Sequence, residues 1–205
     1  MNKIILDGTI WGIQDSHTIG SVQYQKANIT CQNSNGKESV LTLQFKKFQC
    51  PYKDGDKVLL EGNIRSFSEK VSDTKNRVSI YVYTYFDSPD CAAEELDRFK
   101  NKFVVDGRIC KIEPMRFLEN DKNNIHYILA NNIIQNGSKL NSYLPCISWG
   151  GVANKIGKLS KNDKIEITGE LRSREYKKPT SNGEFEIRVA HELLVTDFEV
   201  LSREE

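Results

Sequence analysis

Near its C-terminal end the chain alternates Leu171 and Ser173 with Arg172 and Arg174, so that an extended backbone projects both guanidinium groups from one face. Tyr176 stands at the edge of that basic face, and Lys177 and Lys178 follow it. Upstream, the run Tyr143-Leu144-Pro145-Cys146-Ile147-Ser148-Trp149-Gly150-Gly151 also alternates at period two and is bracketed by two large rings. Rings beside cations hold a ligand; they do not break a bond. The familiar catalytic and nucleotide-cradling patterns, Gly-x-x-x-x-Gly-Lys-Ser/Thr, His-Glu-x-x-His and Gly-x-Ser-x-Gly, do not occur, and His17, His126 and His191 are scattered. A nuclease reading would fall on Asp106 and Glu170. We read the chain as a non-catalytic binder that needs no cofactor.

The elements that must present these residues can be read at coarse grain. After Trp149 a short helix is expected near 151–158, with Gly157 at its end; Asn162-Asp163-Lys164 then turns the chain into a strand carrying Ile165 and Ile167 on one side. Gly169 marks a bend in that strand where a coiled sheet leaves no room for a side chain. An internal repeat extends the reading to the rest of the chain. Lys3–Ile10 matches Lys102–Ile109, and Gly55–Ser66 matches Asn162–Ser173, in the same order and with compatible spacing, as duplication of one fold produces.

The first copy is expected to have strands at 3–12, 23–33, 38–46, 56–67 and 76–86, with turns at Asn33-Ser34-Asn35-Gly36 and Asp54-Gly55. Pro51 argues for a loop over 46–53 where the second copy has its helix. The second copy is expected to have strands at 102–113, 124–135, 141–149, 163–176 and 184–200, a hairpin turn at Asn136-Gly137 and a polar tip at Pro179–Gly183. Three segments result: residues 1–88, a short joint over 89–100 in which Ser88-Pro89-Asp90 reads as a helix start, and residues 101–205.

The 143–178 segment resembles the core of the bacterial single-stranded-DNA-binding proteins. Their oligonucleotide/oligosaccharide-binding (OB) fold carries an aromatic-x5-aromatic-Gly stretch, a short helix, a polar turn and Gly-x-Leu-Arg-Ser/Thr-Arg-x-aromatic, as here in Tyr143, Trp149, Gly150 and Gly169–Tyr176. The resemblance implies an all-β protein with a minor helix, built as two tandem OB-fold five-stranded Greek-key barrels. It implies stacking of bases on Tyr143, Trp149 and Tyr176, with Arg108, Arg172, Arg174, Lys177 and Lys178 holding phosphates, and hence largely sequence-independent binding of single-stranded DNA, with RNA left open.

In the repeat register Phe45 takes the place of Trp149, Ser39 that of Tyr143 and Glu69 that of Tyr176, so the first copy lacks two of the three rings. Trp11, Phe67, Tyr81 and Tyr83 could replace them, with Lys46, Lys47, Arg65 and Arg77 as cations; equally, the first copy could contact protein, as a module of a replication or conjugation assembly. Against the family pattern, the chain ends at Leu201-Ser202-Arg203-Glu204-Glu205, without a Gly/Pro/Gln-rich linker and acidic tip. Service to DNA replication, recombination or a mobile element such as a plasmid or phage is the resulting expectation. A homodimer presenting four barrels is expected from their exposed edges.

Composition sets the outer bounds. With 29 basic and 28 acidic residues the net charge is +1, and the segments carry about +2, −2 and +1 in order, so a positive groove must be local. Stacking on rings tolerates that neutrality better than duplex binding does. No apolar run is long enough to cross a bilayer and Met1-Asn2-Lys3 opens no signal peptide, which points to the cytoplasm. Cys31, Cys50, Cys91, Cys110 and Cys146 are odd in number and form no C-x-x-C pair, so reduced thiols are expected in place of disulfides or a metal site.

Overall fold

A computed structural model describes residues 1–72, 75–86, 101–119, 122–135, 138–179 and 184–203. The expected joint at 89–100, the turn at Asn136-Gly137 and the tip at 180–183 lie outside them. Among the described residues eleven strands and one helix are seen: β1 (Asn2–Ile19), β2 (Val22–Gln32), β3 (Glu38–Lys46), β4 (Lys57–Ser72), β5 (Lys75–Thr84), β6 (Lys102–Ile112), β7 (Arg116–Phe117), β8 (Asn123–Gln135), β9 (Ser138–Trp149), α1 (Gly150–Ile156), β10 (Lys164–Pro179) and β11 (Phe185–Ser202).

The strands form two rings of one design. The first runs β1–β2–β3–β5–β4 and closes on β1; the second runs β6–β8–β9–β11–β10 and closes on β6. In each, a single parallel pair, β3 with β5 or β9 with β11, completes an otherwise antiparallel circuit, in the manner of an OB-fold. Closure demands a sharp bend at one strand, and glycine supplies it. At Gly169 the β10–β11 register shifts, and a Cβ there would sit 1.9 Å from the Leu194 carbonyl oxygen; at the matching Gly62 it would sit 2.7 Å from that of Tyr83.

Alternation drives the packing. Leu41, Leu43 and Phe45 on β3 and Leu144 and Cys146 on β9 point inward and are buried, while the residues between them face out. The end of the second ring is stopped by α1 through Ala153 and Ile156. In the first ring the expected loop does that office: Tyr52 and Phe45 each pack edge-on against Phe86, with centroids 5.7 and 5.0 Å apart. Burial raises the thiols of Cys31, to about 12, and Cys146, so both remain protonated packing groups.

The rings are joined strand to strand. β1 pairs antiparallel with β6 about the facing residues Ile4 and Phe103, which are each other's counterparts in the repeat, so the junction is close to two-fold symmetric. Asparagines clip it. Asn101 binds both the N–H and C=O of Leu171 within its own ring and donates to Asn33 of the other; Asn2 does the same to Ile64 and reaches Asn131.

Two departures from the sequence reading stand out. β1 and β2 continue as a hairpin to Ile19 and Val22, where residues 13–22 were expected to be loop, and Gly20, at φ +58°, makes the turn. The repeat register in β3 is also off by one. Ser173 N–H donates to Ser39 Oγ and Val40 N–H to Ser173 Oγ, and the mirror-image bonds join Ser66 to Ser142 and Tyr143. Val40 is therefore the counterpart of Tyr143, Lys46 of Trp149, and Phe45 of Ser148. In a strand a one-residue slip exchanges inside for outside, which is why Phe45, expected as a stacking ring, is sealed in the core. Among the described residues no helix is long and apolar enough to cross a membrane.

Candidate nucleic-acid interface

The outward face of β9 carries Tyr143, Pro145, Ile147 and Trp149, paired rung by rung with Ala130, Ile128, His126 and Asn124 of β8. Tyr143 is 48% and Trp149 42% exposed, both on one face and about 20 Å apart at the strand rise of about 3.3 Å per residue. Neighbours that are buried (Asn124, Ile147) or half-buried leave both rings standing proud of the sheet. Such a surface offers two flat apolar platforms, which accept any base because every base has a π-face.

Beyond the ring, β10 and β11 run on as a two-stranded arm. Cross-strand partners share a face, so Arg174, Tyr176 and Lys178, opposite Ala190, Arg188 and Glu186, form one side. Arg174 lies 5.8 Å from the Tyr176 ring centroid, a cation–π contact, and its Nε is 3.5 Å from the Glu192 carboxylate. Lys177 stands on the opposite side, in register with Ile187 between exposed Phe185 and Val189. The sequence grouped Lys177 with Lys178; strand alternation separates them. Arg108 is exposed and donates to the Asn162 carbonyl, which fixes its stem beside β10.

Arg172 has another task. Its guanidinium lies 2.7 Å from Glu170, which is almost fully buried and accepts the Ser34 N–H from the first ring. This pair binds ring to ring, so Arg172 is removed from the expected phosphate contacts. The carboxylate of Asp106 is likewise structural: burial raises its pKa, but the Met1 ammonium and Lys164 outweigh burial and hold it below the ordinary range.

The first-copy candidates divide. Trp11 is 43% and Phe67 57% exposed, and Lys46 is half-buried on the outward face of β3. Arg65, expected as a free cation, is buried with its guanidinium 3.9 Å over the Tyr83 ring and its Nη2 donating to Tyr85. Tyr83 is buried beneath it, and Tyr81 is half-buried with a raised pKa, because burial outweighs the opposing pull of Arg65. Lys47 is ion-paired to Asp15 at 2.7 Å. The side chain of Arg77 is outside the described residues.

Two rings escaped the sequence reading. His17 lies parallel on Tyr24, with centroids 4.9 Å apart and planes at 10°, on the hairpin that was expected to be loop. The Gly20-Ser21 pair between Ile13, Asp15, His17 and Ile19 was the available signal.

Comparison with known proteins agrees with this geometry. No curated protein sequence matches the chain. Among solved structures, the wild-type single-stranded DNA binding protein from Thermus aquaticus is similar at a TM-score of 0.71 and 15% identity, covering 100% of this chain and 95% of that one. A deletion and substitution variant of the same protein gives the same score and identity, with 96% of its chain covered. At that identity the likeness is one of fold, and it spans both rings. The sequence profile of the Single-strand binding protein family matches residues 100–201, which take in the second ring from β6 into β11. Through that half, the chain belongs to the Single-strand binding protein family.

Proposed function

We propose that this protein binds single-stranded DNA, largely without regard to sequence, in replication or recombination. The observation that carries the reading is the pair of exposed rings, Tyr143 and Trp149, on the one outward face of β9. A strand laid along that face stacks bases on both; Arg108, whose rung partner Ala130 faces Tyr143, stands on the same face to hold a phosphate, and the arm offers Arg174 and Lys178 as further cations. Stacking contributes about 1–3 kcal/mol per base, and the cations add a salt-dependent share. The described side chains work by contact alone, as in a family whose members bind DNA and perform no chemistry on it. The two rings correspond to two OB-fold barrels, residues 1–88 and 101–205.

Titration with oligothymidine, read by intrinsic fluorescence, tests the reading. Trp149 emission should be quenched, the midpoint should move to higher concentration with added salt, and duplex of equal length should compete poorly. An unresponsive Trp149, or equal competition by duplex, would end it.

A further inference from the structure

We infer that the first ring has a strand-binding face of its own, built from Trp11 and the His17–Tyr24 stack with Lys26 and Lys46 beside them. This rests on the function proposed above and adds a second site to it. The argument goes rung by rung. In the second ring the two platforms sit at the Ala130–Tyr143 and Asn124–Trp149 rungs. The equivalent rungs of the first ring are Thr30–Val40 and Tyr24–Lys46. Both still carry a ring, supplied from a neighbouring strand.

At the first rung, Trp11 on β1 donates its indole N–H to Thr30 Oγ at 3.0 Å, which sets an exposed indole beside the counterpart of Ala130, one strand from the place that Tyr143 holds in the other copy. At the second, the ring has crossed from β3 to β2: Tyr24 faces Lys46 where Asn124 faces Trp149. Exposed His17 covers Tyr24 and is steadied by the Gln44 amide 3.1 Å from its Nδ1. Thr30 and Tyr24 are six positions apart on one strand, the same separation as Tyr143 and Trp149. Exposed Lys26, and Lys46 at the rung itself, supply positive charge between the platforms.

The arm of the second ring rests against the edge of β3. Ser173 is bonded to Ser39 and Val40, and its cross-strand partner His191 stands 3.0 Å from the Val40 carbonyl. That side of the arm meets the first ring, and strand alternation sets Arg174 and Tyr176 on the opposite side, outside this face.

The chain has two tryptophans, Trp11 and Trp149, one on each face, so each face reports on itself. In Trp149→Phe protein, oligothymidine of about 30 nucleotides, long enough for two OB folds, should quench Trp11. In Trp11→Phe protein it should quench Trp149. Adding Tyr24→Ala to Trp149→Phe should weaken the Trp11-reported event about fivefold or more. Quenching of Trp149 with Trp11 silent would overturn this inference and leave single-strand binding standing. Silence of both would end both. An unmoved Trp11 titration in the Tyr24 variant would remove that platform.

Discussion

The two rings share a skeleton and differ in where they place bulk. Inside, the first has Ala27 on β2 and Phe45 on β3, whereas the second has Tyr127 on β8 and Ser148 on β9 at the same positions. Outside, Tyr24 and Lys46 stand where the other has Asn124 and Trp149. Aromatic volume has crossed between neighbouring strands in both layers. A closed ring constrains the sum of side-chain volumes at a given depth more tightly than it constrains which strand supplies them. Divergence of that kind preserves pairing, glycine bends and asparagine clips while erasing position-by-position likeness in β2 and β3.

The interior exchange gives the largest predicted effect. Phe45→Ala should cost about 3–5 kcal/mol of stability, the usual range for deleting a buried ring, because Phe86 and the neighbouring leucines lose a filler that Ala27 is too small to replace. Ser148→Ala at the matching place should cost far less, since it removes little volume and, among the described residues, a 3.5 Å contact to the Tyr127 hydroxyl. Urea unfolding of both variants checks this. Equal losses would break the proposed equivalence of the two positions.

The asparagine clips rank next. Asn101→Leu leaves the Leu171 amide and carbonyl and the Asn33 side chain without their partner in a buried place, at a cost of about 1–3 kcal/mol for each group left unmatched. Asn2→Leu at the half-exposed end of the junction should cost less. Thermal melts of the two variants measure how nearly symmetric the junction is in energy.

What the sequence revealed, and what it hid, follows from the same physics. The duplicated blocks around Gly62 and Gly169 were legible because closure fixes both glycine and flanking alternation. The outward settings of Tyr143 and Trp149 were legible because β9 alternates at period two. Phe45 was misplaced because Gln44-Phe45-Lys46 and Ser148-Trp149 each offer a ring, and only the pairing register tells which one points out. Arg65 and Arg172 read as free cations because a strand pattern shows the side of the sheet, and not the Tyr83 ring or Glu170 carboxylate that meets them there. His17 and Tyr24 were hidden by a hairpin longer than its apolar core.

On the outer faces, Trp149→Ala should weaken oligothymidine binding by about 1–3 kcal/mol, while Lys46→Ala at the equivalent rung should cost less than about 1 kcal/mol and lower the salt slope by about 0.7. Salt-dependent titrations separate the two. A Trp149 effect that tracked salt, or a Lys46 effect that did not, would mean that ring and cation have not exchanged roles between the rungs.

The smallest effect concerns His191, which has Ile80 as its counterpart and so marks where the two arms differ most. Burial lowers its pKa, and its bond to the Val40 carbonyl opposes that only in part, so the folded imidazole stays neutral at a pH where the unfolded one has taken a proton. The unfolded state then binds more protons, and stability falls as pH drops through about 6.5 toward the lower folded value. Above that window the contribution is fully present. Urea midpoints at pH 7.5 and 5.5 should therefore converge in His191→Gln protein relative to the unsubstituted chain, once the slope common to both from other groups is subtracted. An identical pH dependence in the two proteins would show that the arm does not depend on a neutral imidazole where it meets the first ring.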